Sequence, residues 1–273
     1  QAGAYVLTMA KHRPKILIGR DTRVSGDMLE AALAAGICSV GASTIIAGVI
    51  PTPAVAYLTR LYGADAGIVI SASHNSMEYN GIKFFDRRGH KLPDELEERI
   101  EAIVLDDSEE LPKPTGAGVG RIVRIKNTVK DYVDYLKSTM DIDLKGIKIA
   151  VDCANGASFE VAPMLFKALG AEVDTMYTTP DGVNINSSCG STHPSKLQSY
   201  VLEADADIGF ALDGDADRLI AVDENGKLVD GDQIMVMCAL DMKQSGTLKR
   251  NTLVTTVMSN LGLDKASLED RKS

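Results

Sequence analysis

The alternation of short apolar runs with amphipathic helical patterns constrains this chain most strongly. Parallel strands need long crossover connections, usually helices, so such alternation is typical of helices packed on a mostly parallel sheet. The pattern occurs in two successive series, which predicts two α/β domains of related design. The predicted strands are 15–19, 44–49, 67–70, 82–85, 147–151, 172–177, 208–212, 219–222 and 252–257.

A segment poor in apolar residues separates the two series. Residues 106–110 are acidic, and residues 111–118 are rich in proline and glycine. We expect the first domain to end there, although a solvated loop within one domain would have the same composition. A further helical pattern at 231–243 and the strand pattern at 252–257 begin a third unit that is not completed. We therefore expect the chain to be cut from a longer arrangement.

Composition and charge narrow the possible partners. The 273 residues are 45% hydrophobic and 25% charged, and the net charge is −9. An acidic chain without a long apolar run is a poor candidate for binding nucleic acid or a membrane, so neither is expected as a partner. The four cysteines are scattered without a Cys-x-x-Cys pair, which favours reduced thiols in a cytoplasmic protein over zinc or disulfides.

A polar loop rich in small residues follows the third predicted strand. The apolar run ends at Ile70, and Ser71–Ser76 (Ser-Ala-Ser-His-Asn-Ser) begins directly after it. A turn at Asn80-Gly81 then leads into the next strand. Hydroxyl groups beyond the carboxyl end of such a strand lie where α/β sheets place their chemistry. Serine and asparagine also make ordinary turns, and this loop alone would favour that interpretation.

A loop with three carboxylates follows the strand at 208–212. Asp213, Asp215 and Asp217 alternate with Gly214 and Ala216. In an extended segment, residues two apart point to the same side, so the three carboxylates are expected to converge. Without a cation they would repel one another, and oxygen ligands favour Mg²⁺, Mn²⁺ or Ca²⁺ over zinc. The sequence therefore predicts a divalent metal site.

Three other interpretations of this acidic loop are less favourable. An EF-hand fits poorly, because Arg218 occupies the position where that loop needs glycine and the flanks have strand character. A phosphatase that uses Asp213 as an aspartyl nucleophile would carry this loop after its first strand, whereas here it follows several. A surface turn is the third interpretation, and a position directly after a buried strand disfavours it.

Together, the two loops predict phosphoryl transfer through a phosphoserine. The metal would neutralise the phosphate oxygens while the group moves. Arg218 is a candidate for binding a phosphate or a sugar hydroxyl, and Lys83 for supplying charge or a proton. Either residue would also be ordinary as a solvated basic side chain.

In these two loops the sequence resembles the α-D-phosphohexomutase superfamily. The stretch from Asn184 to Pro194 narrows the resemblance to members that act on glucosamine phosphates. The matching motifs are residues 19–23, 70–76, 80–85, 184–194 and 213–218.

The resemblance implies a reaction and assigns roles to particular residues. Ser73, and not Ser71 or Ser76, would carry the phosphate, and with the three aspartates it would bind Mg²⁺. Beside these residues, His74, Lys83 and Arg218 are candidate catalytic residues. The substrate would be a phosphosugar, glucosamine 6-phosphate, converted to glucosamine 1-phosphate through a bisphosphate and supplied to UDP-N-acetylglucosamine synthesis.

The resemblance also implies a domain arrangement. Residues 1–118 would be the first domain without its beginning, residues 119–232 the second, and residues 233–273 the start of a third, with the fourth absent. The missing parts would include the loop that recognises the sugar. The superfamily often has proline where this chain has Ser76, which would change the stiffness of the loop more than its chemistry. The oligomeric state is not predicted.

Overall fold

Two five-stranded sheets form the centre of this computed structural model, which describes residues 1–8, 13–106 and 109–270. The strands of the first sheet are β1 (Lys15–Arg20), β2 (Ser43–Val49), β3 (Ala66–Ile70), β4 (Ile82–Asp86) and β5 (Ile122–Arg124). Those of the second are β6 (Lys148–Asp152), β7 (Glu172–Met176), β8 (Ile208–Leu212), β9 (Leu219–Asp223) and β10 (Leu228–Val229).

The strand order is β4-β3-β1-β2-β5 in the first sheet and β10-β9-β8-β6-β7 in the second. The first sheet is parallel except for β4, which pairs antiparallel with β3. In the second sheet β6 is parallel to β7 and β8, whereas β9 and β10 are antiparallel additions. The predicted α/β class with mixed sheets is confirmed, although the second sheet is less parallel than expected.

Helices connect the parallel strands and cover the sheets, as the alternation predicts. In the second unit α6 and α7 pack against the strands. The helices are α1 (Ala2–Thr8), α2 (Ser25–Ser39), α3 (Thr52–Leu61), α4 (Asp94–Asp106), α5 (Thr128–Ser138), α6 (Val161–Ala168), α7 (Ser195–Glu203), α8 (Gly231–Gln244) and α9 (Leu261–Asp270).

The core explains why β1 is apolar along nearly its whole length. Leu17 packs on the side covered by α3, whereas Ile16 and Ile18 pack on the side covered by α2. All three side chains are fully buried. A central strand buried on both faces fixes its register firmly, because a slip of one residue would reverse every side chain. The carboxyl ends of β1 and β3 are therefore held side by side at one edge of the sheet.

The strand predictions differ from the structure at 252–257 and at the short strands β5 and β10, neither of which was predicted. The described residues 252–257 form no strand, and α9 follows them where no helix was predicted. Val254 and Val257 favour strands by residue type, but they are almost wholly exposed and have no sheet to join. The short β5 was not predicted, and it pairs with β2 of the first sheet although it follows residue 118. The domain boundary at that residue stays a prediction.

Two further observations concern the acidic run and the length of the helices. Asp107 and Ser108, in the acidic run that suggested the domain boundary, lie outside the described residues. Among the described residues, the structure has no helix with the length and apolar character that crossing a membrane requires.

Candidate active site

The serine loop and the aspartate loop meet at the carboxyl ends of two strands. The serine loop (residues 71–81) connects β3 to β4, and the aspartate loop (residues 213–218) connects β8 to β9. The Ser73 hydroxyl donates a hydrogen bond to Asp213 Oδ2, with 2.7 Å between the two oxygens. Two motifs separated by 140 residues in sequence are therefore in direct contact.

Ser73 adopts a backbone conformation that is unusual for its residue type. Its φ is 54°, in the left-handed region, and the residue is only 7% exposed. The Ser73 N–H donates to the Ser71 hydroxyl over 2.9 Å, and Arg218 Nη2 donates to Ser73 Oγ over 3.2 Å. Non-glycine residues in this region cost energy and are concentrated at functional sites. The strained turn directs the hydroxyl of Ser73 toward the aspartate loop.

The three carboxylates converge, but a turn brings them together and not the extended segment that the sequence suggested. The Ala216 N–H donates to the Asp213 carbonyl over 3.0 Å, and Ala216 has a φ of 54°. Ligand oxygens of the three aspartates lie within 4.8 Å of one another. Asp213 and Asp215 are buried, whereas the Asp217 side chain is 34% exposed.

Asp215 is held from the first domain. Its Oδ2 accepts hydrogen bonds from Thr52 Oγ1 over 2.6 Å and from Lys83 Nζ over 2.9 Å. Burial opposes its ionisation, but these bonds and the charge of Lys83 outweigh that effect and hold the pKa of Asp215 below its usual value. Its other oxygen, Oδ1, is buried and has no hydrogen-bond partner among the described residues.

Asp213 experiences the opposite balance. Burial raises its pKa despite the hydrogen bond from Ser73, and the charges of Asp215 and Asp217 raise it further. A bound cation would offset the repulsion among the three carboxylates, and it would give the unpartnered Oδ1 of Asp215 a partner. An all-oxygen donor set of this kind fits a hard divalent cation. These three residues could therefore hold a metal ion.

Basic side chains surround the two loops on the solvent side. Arg218 Nη1 lies 2.9 Å from His74 Nδ1, and Lys83 Nζ lies 3.7 Å from Asp217 Oδ2. His74 is exposed, and the Arg218 side chain is 51% exposed. All seven residues predicted from sequence are thus brought to one place, while their catalytic and metal-binding roles stay predictions.

Three residues of the site were not predicted from sequence. Thr52 precedes a proline at the start of α3, a pattern that is typical of a helix cap, but Pro51 occupies that position and Thr52 bonds to Asp215. Arg23 and Asn186 donate to backbone carbonyls of the serine loop. The signal for Arg23 was its place in the loop after the first strand, and for Asn186 the unusual length of its polar loop. Neither signal identified a partner.

Family models decide how this arrangement is classified. Models described as phosphoglucomutase/phosphomannomutase, alpha/beta/alpha domains I, II and III, match residues 1–111, 130–226 and 230–271. The chain belongs to this family. The resemblance drawn from the serine and aspartate motifs is therefore confirmed, as is the assignment of three α/β/α domains.

Curated relatives of this family are closely similar in sequence. Phosphoglucosamine mutase from Acetivibrio thermocellus is 62% identical over 265 residues, which is 97% of this chain and 59% of the relative. The enzyme of the same name from Clostridium novyi is 60% identical over 266 residues, with the same two shares covered. This chain spans about 60% of the length of the curated relatives it matches.

Solved structures of the phosphoglucomutase/phosphomannomutase family agree with the fold. A family protein from Burkholderia thailandensis superposes with a TM-score of 0.77 at 27% identity, covering all of this chain and 63% of its own. A structure described as a putative phosphomannomutase from Thermus thermophilus has a TM-score of 0.74 at 23% identity, over 90% of this chain and 56% of its own, and supports the fold alone.

Proposed function

We propose that this chain provides the phosphoserine and the metal site of an enzyme that interconverts glucosamine 6-phosphate and glucosamine 1-phosphate. The relatives that support this proposal are named phosphoglucosamine mutase and share about three fifths of their residues with the matched region. The same proposal makes the protein a phosphoprotein, assigns Mg²⁺ as the metal and a phosphosugar as the partner, and places the reaction in the cytoplasm.

The contact between Ser73 Oγ and Asp213 Oδ2 carries the proposal. It sets a hydroxyl that can form a phosphate ester against a cluster of oxygen ligands. When bound there by the three aspartates and the phosphoserine, Mg²⁺ would neutralise negative charge on the phosphoryl oxygens. Arg218, which already donates to Ser73 Oγ, would contribute a second positive group to the same oxygens.

The proposed chemistry consists of two phosphoryl transfers in opposite directions. In the first, a sugar hydroxyl oxygen forms a bond to phosphorus while the bond from phosphorus to Ser73 Oγ breaks, and the net result is that the sugar hydroxyl loses one proton and Ser73 Oγ gains one. The resulting bisphosphate then returns its other phosphoryl group to Ser73. Lys83 is the proposed proton donor to the departing oxygen, because its ammonium group lies beside the aspartates and its side chain is 42% exposed toward solvent.

A mass measurement on the intact chain tests this assignment. The chain is incubated with Mg²⁺ and glucosamine 1,6-bisphosphate, and wild type is compared with Ser73→Ala and Ser76→Ala. Ser76 is exposed in the same loop and serves as the matched control. We expect one added phosphate on wild type and on Ser76→Ala, and none on Ser73→Ala. Equal phosphate on all three proteins would remove Ser73 from the reaction.

A phosphoglucomutase or phosphomannomutase is the second candidate. The names of the matching family models and of the Burkholderia thailandensis structure favour it. Competition between glucosamine, glucose and mannose 1,6-bisphosphates for phosphorylation of Ser73 compares the candidates. A clear preference for the glucose or mannose donor would replace the glucosamine assignment.

A further inference from the structure

The long polar loop at 184–194 has no role in the proposed chemistry, yet the second domain anchors it firmly. Asn184 donates from its side-chain amide to the Thr179 carbonyl over 3.0 Å and accepts from the Asp181 N–H over 3.1 Å. At the far end, the Gly190 N–H donates to Asp152 Oδ2 over 2.8 Å. A loop fixed at both ends can place a side chain accurately on a neighbouring element.

Asn186 is the side chain that this loop presents to the first domain. Its N–H donates to the Ala154 carbonyl over 2.9 Å, which ties its backbone to the second domain. Its side-chain Nδ2 donates to the carbonyls of Ser73 and Asn75, over 2.9 Å in both cases. A side-chain amide has two N–H donors, and both are committed to the serine loop. Asn186 itself is only 8% exposed.

Arg23 donates to the same two carbonyls from the first domain. Its Nη2 lies 3.3 Å from the Ser73 oxygen and 2.5 Å from the Asn75 oxygen. The guanidinium group is fully buried against Asp21. The two carbonyls that flank the left-handed turn are thus held from both domains, by a charged group on one side and a neutral amide on the other.

The space around these donors is closed. A Cβ atom added to Gly214 would lie 2.6 Å from the Ser73 carbonyl oxygen and 2.7 Å from Asn186 Nδ2. The serine loop, the aspartate loop and Asn186 therefore meet at one point. A change in the Asn186 side chain acts directly on the backbone that orients the Ser73 hydroxyl.

From these contacts we infer that Asn186 is a positioning residue, which holds Ser73 in its left-handed conformation from the second domain. A backbone conformation of this kind costs energy in a non-glycine residue and persists only when its surroundings enforce it. The catalytic consequence rests on the proposed function, whereas the positioning itself does not. Asn186 touches none of the groups proposed to react.

Asn186→Asp is the most informative variant. It keeps the shape of the side chain, but it replaces the NH₂ group with an oxygen that faces the carbonyl oxygens of Ser73 and Asn75. Asn184→Asp is the matched control, since it makes the same change in the same loop at a residue whose side-chain contacts stay within the second domain. Asn186→Ala removes the donors without adding repulsion, so its effect is expected to be intermediate.

Two measurements are made on the full chain with Mg²⁺. The first is hydrogen exchange of the amides at 71–77, followed by mass spectrometry. We expect faster exchange in Asn186→Asp than in wild type and a much smaller change in Asn184→Asp, which keeps both side-chain donors of Asn186. The second is the rate of Ser73 phosphorylation by glucosamine 1,6-bisphosphate. At saturating donor we expect Asn186→Asp to be ~10-fold slower, with the half-saturating concentration little changed, because lost positioning acts on the reacting conformation.

The outcomes separate this inference from the proposed function. If wild type takes up no phosphate, the proposed function fails, and the exchange comparison still decides the role of Asn186. Unchanged exchange at 71–77 in Asn186→Asp would overturn the inference. Equal slowing of phosphorylation in Asn186→Asp and Asn184→Asp would also overturn it, because general loosening of the loop would then explain the effect.

Discussion

The first and second domains repeat one arrangement and use it for different chemistry. In each sheet one strand, β1 or β6, lies between two parallel neighbours, and one of these neighbours, β3 or β8, is followed by an antiparallel strand. The connection to that antiparallel strand is the functional loop in both domains. One connection carries a hydroxyl, and the other carries three carboxylates.

Each of the two loops is completed by residues of the opposite domain. In the first domain, the Ser73 hydroxyl donates a hydrogen bond to Asp213 and accepts one from Arg218. The Ser73 carbonyl accepts a hydrogen bond from the side chain of Asn186. In the second domain, Asp215 is held by Thr52 and Lys83 of the first. The repeated arrangement thus places two loops of different chemistry at equivalent positions, and together they form one site.

Asp215→Asn is expected to have the largest effect, because it removes a buried charge that the first domain holds in place. We expect Mg²⁺ affinity to fall on the order of 100-fold, since the number of charged ligands largely sets affinity for hard cations. Asp217→Asn should lower Mg²⁺ affinity only about 10-fold, because the Asp217 side chain is partly exposed and solvent screens its charge.

Isothermal titration calorimetry of the three proteins with Mg²⁺ measures both effects. Equal losses in the two variants would show that the contacts from the first domain do not distinguish Asp215 from Asp217.

Gly214→Ala tests how closely the two loops must approach. The added Cβ would lie 2.6 Å from the Ser73 carbonyl oxygen, so backbone must move. We expect the free energy of unfolding to fall by about 1–3 kcal/mol, the usual cost of overpacking. Gly231→Ala is the control, because an added Cβ there meets no atom of the described residues within 4 Å. Urea unfolding that shows equal stability for both variants would contradict the close approach.

The sequence predicted the elements of the site better than their connections. Apolar runs located β1, β3 and β8, and residue chemistry located Ser73 and the aspartates. The contact of Thr52 was not predicted, because local pattern cannot reveal a partner such as Asp215, 163 positions away. The strand predicted at 252–257 was wrong for a related reason, since residue preference without a neighbouring strand does not make a sheet.

The contact between Thr52 and Asp215 is expected to be worth about 1 kcal/mol, the usual net value of a buried hydrogen bond. A double-mutant cycle with Thr52→Val and Asp215→Asn should show that coupling energy in urea unfolding. Thr59→Val is the control, because the Thr59 hydroxyl donates to Val55 within α3. Its effect should add to that of Asp215→Asn, and equal coupling in the two cycles would contradict a specific contact.

Acidification should distinguish the two buried aspartates, with the smallest effect of the series. Because the pKa of Asp213 is raised and that of Asp215 is lowered, Asp213 takes up a proton first as the pH falls. We expect Mg²⁺ affinity to fall a few-fold between pH 7 and 5, since a protonated carboxyl is a poor metal ligand. Titrations of Asp213→Asn over that range should show a flatter profile, and an unchanged slope would assign the proton elsewhere.

Stability in the absence of metal should change in the opposite direction. Between the ordinary carboxyl pKa and the raised pKa of folded Asp213, the folded chain binds more protons than the unfolded chain. The contribution of Asp213 to the free energy of unfolding therefore declines as the pH rises through that window. Thermal melts in a chelating buffer, compared with Asp213→Asn, measure this dependence.

The left-handed backbone at Ser73 restricts which nucleophiles evolution could have chosen here. Threonine carries the same hydroxyl, but branching at its Cβ makes a positive φ strongly unfavourable. A threonine at this position would have to leave the conformation that points the oxygen toward Asp213. The identity of the phosphate carrier is thus set by backbone geometry as much as by reactivity, and other chains that preserve this turn should preserve serine with it.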